Sequence, residues 1–239
     1  MSGWDPSAYG DAIADVYDRW YTDATDVEDI VATVRSLGTS VLELGIGTGR
    51  LAIPLADAGL AVSGIDASPA MVAKLHEKRP DIPVAIADFT DVAVEGTFDV
   101  VLLAFNALLN LLTLDDQARC LRNAAARLRP GGSVVVETFV PDDDAPTQGL
   151  DVRSVEPDEV QWSVFRVEDR IVSGSIVTVR EDSGVRLRPW RIRLTTPTEL
   201  DEVAARAGLE LVRRTGGWRG EPFTTESERQ VTVYRPAPR

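Results

Sequence analysis

A chain of 239 residues, 44% hydrophobic and 26% charged, is long enough to bury a full core in one large α/β domain, or in one domain with a small annex. Its net charge of -13, with no long basic run, argues against a nucleic-acid partner, and no apolar run approaches the roughly 20 residues of a membrane span. The lone cysteine, Cys120, rules out an internal disulfide, and the lone histidine, His76, lies in a charged helical stretch, so no metal site is expected. Met1-Ser2-Gly3-Trp4-Asp5 lacks the basic and apolar regions of a signal peptide, which points to the cytoplasm.

Residues 7 to 22 form an aromatic-rich leader in which Tyr17, Trp20 and Tyr21 fall at i, i+3 and i+4, one face of a helix. Two readings stand side by side. The face docks on the domain as ordinary aromatic packing, or it forms a lid whose rings lie near a cationic ligand. A helix over 26–36 follows, with Val27, Ile30, Val31 and Val34 on one side.

Val41 to Leu44 reads as a buried strand, Gly45-Ile46-Gly47-Thr48-Gly49 as a sharp turn, and Arg50 onward as a helix through Leu51 and Leu55. Glycines at such a turn let the backbone approach a ligand that a Cβ would push away, and the free amides of the helix start suit a polar or anionic group. A dinucleotide fingerprint wants G-x-G-x-x-G. Here the third glycine position holds Arg50, and the charged Glu43 stands within the apolar strand, so a nicotinamide-dependent oxidoreductase is the weaker alternative.

Ala61 to Asp66 is the second strand. Asp66 lies 21 residues after Gly45, near the spacing of an acid that accepts hydrogen bonds from ribose hydroxyls. Ser68-Pro69 supplies an N-cap and an N1 proline for a helix over 69–79. Val84 to Ala87 is the third strand, ending at Asp88-Phe89, and Phe98 to Ala104 the fourth. Asn106 and Asn110 follow in an apolar stretch, where they either hydrogen-bond a substrate or cap the next segment. Thr113 opens a helix to about Leu128, Pro130-Gly131-Gly132 breaks it, and Ser133 to Glu137 is the fifth strand. Glu137 is either a general base or an acceptor for a neighbouring amide.

Residues 142–157 read as an acidic surface connection. Gln161 to Val167, Ile171 to Arg180 and Gly184 to Leu194 alternate as an antiparallel meander of about three strands. Its Arg186, Arg188, Arg191 and Arg193 flank Trp190; they form a solvated strand face, or one of them reads an anion or supports a dimer. Thr196-Pro197-Thr198-Glu199 is a capping box for a last helix to Ala207, before two closing strands.

An acidic residue, then G-x-G-x-G, then Asp-Ala-Ser-Pro-x-Met, then Asp88-Phe89, then R-P-G-G with a valine-rich strand resembles the class I S-adenosylmethionine (SAM)-dependent methyltransferases. Ala14-Asp15-Val16-Tyr17-Asp18 and the meander are similar to the nucleotide-sugar N,N-dimethyltransferases, although Glu43-Leu44-Gly45 and Asn106-Ala107-Leu108 depart from their usual wording. The resemblance implies a doubly wound, Rossmann-like α/β fold with a seven-stranded sheet whose last strand is antiparallel, plus a small antiparallel β meander inserted before the last helix. It divides the chain into a helical lid (1–36), a SAM-binding core (37–145), a β insertion (146–194) and the last helix with a strand hairpin (195–239).

The resemblance further implies SAM as cofactor, contacted by Tyr17, Glu43, Gly45, Gly47, Gly49, Arg50, Asp66, Ala67, Met71, Asp88, Phe89, Ala104 and Phe105, with Met71 against the adenine and Asp88 on its amino group. Tyr21, Asn106, Asn110 and Trp190 are candidates for the methyl acceptor, and Tyr17 and Glu137 for proton transfer. The expected activity is in-line methyl transfer to an amine or hydroxyl of a small molecule, with a homodimer as a further expectation. A SAM-binding partner without catalysis is the other alternative.

Overall fold

Both faces of the strand Phe98–Leu103 are covered, which explains its almost continuous apolar sequence. The computed structural model describes residues 5–21, 26–92 and 94–238; Met1 to Trp4, read above for targeting, and Thr22 at the end of the leader lie outside them. In chain order the elements are α1 (Ala8–Ile13), α2 (Tyr17–Trp20), α3 (Val27–Leu37), β1 (Ser40–Leu44), α4 (Ala52–Asp57), β2 (Ala61–Asp66), α5 (Pro69–Lys78), β3 (Val84–Ile86) and β4 (Phe98–Leu103). There follow a 3₁₀ turn (Ala107–Asn110), α6 (Leu114–Ala125), β5 (Leu128–Phe139), β6 (Gln148–Val155), β7 (Glu159–Glu168), β8 (Ile171–Arg180), β9 (Gly184–Arg193), α7 (Pro197–Arg206), β10 (Leu209–Thr215) and β11 (Arg229–Pro236).

Seven strands form one sheet in the order β10-β11-β5-β4-β1-β2-β3, with β11 antiparallel to both neighbours. Alternate residues send their side chains to opposite faces. Leu42, Leu44, Val101, Leu103, Val134 and Val136 pack with Leu121 of α6 and Leu200 and Val203 of α7. Val41, Val100, Leu102, Val135 and Val233 pack on the other side with Ile30 and Val34 of α3 and Leu55 of α4. The helices start where their capping residues stand: Ser68 accepts the Met71 N–H at 3.1 Å, Thr113 accepts that of Asp116 at 3.0 Å, and Thr196 and Glu199 close a reciprocal box. Winding reverses between β1 and β4, so the ends of these two strands open a crevice at the topological switch point.

Two sequence expectations are corrected. Pro130-Gly131-Gly132 does not end a helix, because α6 already stops at Ala125; the β4–β5 register jumps from Phe98↔Leu128 to Val100↔Ser133, so these residues loop out inside one long strand. The meander has four strands, β6-β7-β8-β9, because Gln148–Val155 of the supposed surface connection pairs with β7. Its Leu150, Val152 and Val155 are all more than half exposed, so β6 is held by backbone bonds at a sheet edge and lacks the one-sided burial that produces a strand pattern. Among the described residues, no helix is long and apolar enough to cross a membrane.

Candidate active site

The glycine turn leaves β1 at the crevice. Gly45, Gly47 and Gly49 have φ of 80°, 57° and 86°, a left-handed region that side chains disfavour. The turn is fastened to the end of β2: Asp66 accepts the Gly47 N–H on one carboxylate oxygen and the Ser68 N–H on the other, each at 2.8 Å. Burial nevertheless raises the Asp66 pKa, with the two amides acting against it. Each oxygen keeps a second lone pair for a ligand. Gly49 has a different task. A Cβ there would stand 2.3 Å from Leu75 Cδ1, so this glycine seats the turn on α5 and does not line the crevice.

A cavity of about 410 Å³ lies above the strand ends. Tyr17, Glu43, Gly45, Gly47, Arg50 and Asp66 line it, and so do Ala67, Met71, Asp88, Phe89, Ala104, Phe105 and Asn110. Glu43 is only 5% exposed at its floor, and burial pushes its carboxyl up to about 8, against the pull of Arg50 and with the push of Asp66. Glu43 Oε2 and Arg50 Nε are buried without a hydrogen-bond partner. The Arg50 guanidinium lies 3.2 Å from the centroid of the Phe105 ring and 5.4 Å from that of Tyr21. Both bonds to Asp88 fall on Oδ1, from the amide and hydroxyl of Thr90 at 2.8 and 2.5 Å.

After β4, Phe105 and Asn106 adopt φ of 49° and 63°, a costly conformation for side-chain-bearing residues. Glu137 holds them there. Its Oε2 accepts the Phe105 N–H at 2.9 Å, its backbone oxygen accepts that of Asn106 at 3.2 Å, and Asn106 Oδ1 accepts the Phe139 N–H at 2.7 Å. Glu137, 3% exposed, does not line the cavity. Of the two roles open to it from sequence, the geometry matches the amide acceptor and leaves no route for a base. Asn106, expected on a substrate, is likewise spent on the loop.

The leader crosses the cavity mouth as α1 and α2. Asp11 accepts the Ser68 hydroxyl at 2.5 Å, and Asp18 accepts the Thr48 hydroxyl at 2.5 Å and Lys78 Nζ at 2.7 Å. Tyr17 lines the cavity, and burial above all raises its pKa to about 12. It therefore stays a phenol at neutral pH, the form suited to orienting a group by hydrogen bonding. Tyr21 does not line the cavity; its ring stands 4.7 Å from that of Tyr17, as support. Trp190 lies away from it, with its ring over Gly174 of the second sheet, where a Cβ would approach the ring to 2.4 Å. His76 is exposed on α5, with Nε2 3.1 Å from the Ile82 carbonyl oxygen.

Sequence reasoning passed over Tyr9, Thr90, Asp116 and Arg119, which also line the cavity. Tyr9 is eight residues before Tyr17. An i, i+8 spacing falls near one face of a helix, so the periodicity itself carried this signal, although the chain is broken between α1 and α2.

Comparison with known proteins agrees with this fold. Residues 41–132 match the family model described as a methyltransferase domain. The cypemycin N-terminal methyltransferase of a Streptomyces species is 30% identical over 240 residues, covering 96% of this chain and 98% of that one. The dTDP-4-amino-2,3,4,6-tetradeoxy-D-glucose N,N-dimethyltransferase of Saccharopolyspora spinosa is 30% identical over 141 residues, 56% of this chain and 57% of that one. Among solved structures, the CcbJ methyltransferase from Streptomyces caelestis has a TM-score of 0.92 at 37% identity, covering 98% of this chain and 100% of that chain.

Proposed function

The chain belongs to the SAM-dependent methyltransferases, and from that premise we propose that it methylates an amine nitrogen of a small molecule. The observation that carries the choice of nitrogen is the cavity wall beneath the lid. Tyr17 is a phenol at neutral pH, Glu137 is turned to the Phe105 amide and His76 is exposed on α5, while the aspartates that do line the cavity are engaged: Asp66 with Gly47 and Ser68, Asp88 with Thr90, and Asp116 with Thr113. A hydroxyl acceptor needs a base poised beside it, whereas an amine can shed its proton to solvent before it is enclosed. The N-methyltransferases among the similar proteins support the same choice.

The cavity fits the cofactor by its own chemistry. An unpartnered carboxylate oxygen on Glu43 suits a cationic group, and an unpartnered guanidinium nitrogen on Arg50 suits a carboxylate. SAM supplies an electrophilic methyl group on a sulfonium. In this reading Asp66 accepts the ribose hydroxyls, Asp88 the adenine amino group through its free oxygen, and Met71 and Phe89 flank the base. Tyr17 and Tyr9 close over the acceptor, exclude water and orient the amine by accepting its N–H on a phenol oxygen, which leaves the lone pair free to attack, so the protein works mainly by alignment. The leader then acts as a lid, and Cys120, the lone cysteine, buried in α6, suits the enzyme to the cytoplasm.

The homodimer belongs to the same reading. One face of the second sheet carries rows of paired apolar residues: Val155, Val160, Val179 and Val185 in one, Val152, Trp162, Val177 and Leu187 in the next. Val152, Val155, Val185 and Leu187 are more than half exposed. With Leu150 and Val164 beside them, they offer roughly 600 Å², near the size of one side of a standard interface and at the upper end of what a monomer exposes. A twofold axis would bring this apolar face, bounded by the row of Arg166 and Arg191, against its own copy.

The test of the proposed reaction is transfer of labelled methyl from SAM to separate panels of primary and secondary amines, phenols and alcohols. Label in amines is expected. Label confined to phenols or alcohols would overturn the choice of nitrogen, and S-adenosylhomocysteine binding without turnover on any panel would favour a non-catalytic role.

A further inference from the structure

The inner face of the four-stranded sheet is as polar as its outer face is apolar. Rows of Gln161, Thr178 and Arg186, and of Ser163, Ile176 and Arg188, turn towards α1 and α2. Between them lies a second cavity of about 330 Å³, separate from the first, lined by Asp15, Arg19, Glu159, Arg180, Arg186 and Arg188 together with Thr178. Four guanidinium groups thus face two carboxylates in a chain whose net charge is -13.

The two carboxylates are shared. Asp15 bonds Arg186 at 2.5 Å and stands 3.7 Å from Arg188; Glu159 bonds Arg180 at 2.9 Å and Arg19 at 3.4 Å. Arg180 is further served on its outer side by Asp182 at 2.9 Å and Asp158 at 3.9 Å, both exposed. Arg188 is the exception. Its side chain is 4% exposed, its hydrogen bonds go to the Ala12 carbonyl at 3.1 Å and the Thr178 hydroxyl at 2.9 Å, and its guanidinium lies 5.0 Å from the Trp20 ring. Among the described residues, no carboxylate is within hydrogen-bonding distance of this buried cation. Burial, followed by repulsion from Arg186, pulls the Arg188 pKa down, the sign of a charge that its surroundings do not fully compensate.

We infer that this cavity is an oxyanion site, taking a phosphoryl group, free or carried on a small molecule, between Arg19 of the lid and Arg186 and Arg188 of the sheet. Guanidinium forks converging from two elements match the oxygens of a phosphoryl group better than a single carboxylate does. The volume leaves room for a small organic body beside the phosphorus. Occupancy ties α2 to β9, and because Tyr17 is on the same helix as Arg19, a filled site steadies the lid over the first cavity. The site does not rest on the methyl-transfer reading, and its test reads binding alone.

Isothermal titration calorimetry of the full-length protein in chloride buffer, with inorganic phosphate, pyrophosphate and glucose 1-phosphate as probes, tests this. Sodium chloride at matched ionic strength is the control. Saturable binding is expected with at least one probe. Arg19→Gln and Arg186→Gln, both at half-exposed positions, should each weaken it by about tenfold or more while melting in chloride as the parent does. Arg188→Met should abolish it, and Arg188→Lys should restore part. Tighter binding of the sugar phosphate than of phosphate would identify an esterified ligand, and equal binding the free anion. No saturable binding by any probe, or binding unchanged in both glutamine variants, would overturn the inference.

Discussion

Replacing Glu43 by glutamine separates the stability of the ligand-free protein from its affinity for the cofactor. Burial raises the Glu43 carboxyl from its ordinary 4.5 to about 8, so at pH 7 the folded chain holds a proton there that the unfolded chain has lost. A carboxyl whose pKa is raised on folding contributes fully at pH values below 4.5, and that contribution is lost as pH climbs towards 8. At about 1.36 kcal/mol per pH unit the loss is about 3 kcal/mol at pH 7, approaching ~5 kcal/mol above pH 8. Glutamine is neutral and nearly isosteric and avoids this loss. Glu43→Gln is expected to melt roughly 5–10 °C higher at pH 7 and to flatten the fall of stability with pH. Binding should move the other way. In the parent, a cationic ligand favours the ionised carboxylate, so affinity for S-adenosylhomocysteine should rise up to about tenfold per pH unit from about pH 6 to pH 8, with proton release. In the variant it should be weaker and independent of pH. Calorimetry in two buffers of different ionisation enthalpy, beside thermal melts over the same range, reads both. A variant no more stable than the parent, or one that binds as tightly with the same pH profile, would refute the argument.

Three further outcomes follow from particular contacts. Gly49→Ala places a Cβ 2.3 Å from Leu75 Cδ1 at a φ of 86°. A loss of about 3 kcal/mol is expected by denaturant titration, and a loss under about 0.5 kcal/mol would show that the turn and α5 are free to part. Glu137→Ala strands the Phe105 amide and should cost about 2 kcal/mol together with most of the turnover, whereas Glu137→Gln keeps an acceptor and should retain both. Full loss of turnover in a normally melting Glu137→Gln would restore the general-base role. Leu187→Asp, on the edge strand β9 of the outer apolar face, should convert a dimer to a monomer in sedimentation equilibrium without lowering the melting temperature of the monomer; a parent that sediments as a monomer would end the dimer reading.

Much of this molecule was legible because its signals are local. The spacing of glycines after β1, Asp66 at the end of β2 and Ser68-Pro69 at the head of α5 each record a demand of the backbone within a few residues, and the crevice lies where they pointed. Glu43 stood out for the same reason, as one charge in a strand that is otherwise apolar. Signals that depend on one-sided burial failed where burial was lacking. β6 was hidden because its apolar residues face outward, and Pro130-Gly131-Gly132 passed for a helix end because a loop inside a strand uses the same residues.

Residue type and order determined the α/β winding, the position of the crevice and the chemistry suited to it. Roles that depend on distance between remote segments were decided only when the chain closed. Glu137 met the Phe105 amide 32 residues away, and Trp190 came to rest over Gly174. Arg188 became a buried cation only because α1 and α2 covered it. Hydrogen bonding and burial are properties of the folded surroundings, and a carboxylate, a phenol or a guanidinium reads alike in sequence whether it meets water, an amide or a ligand.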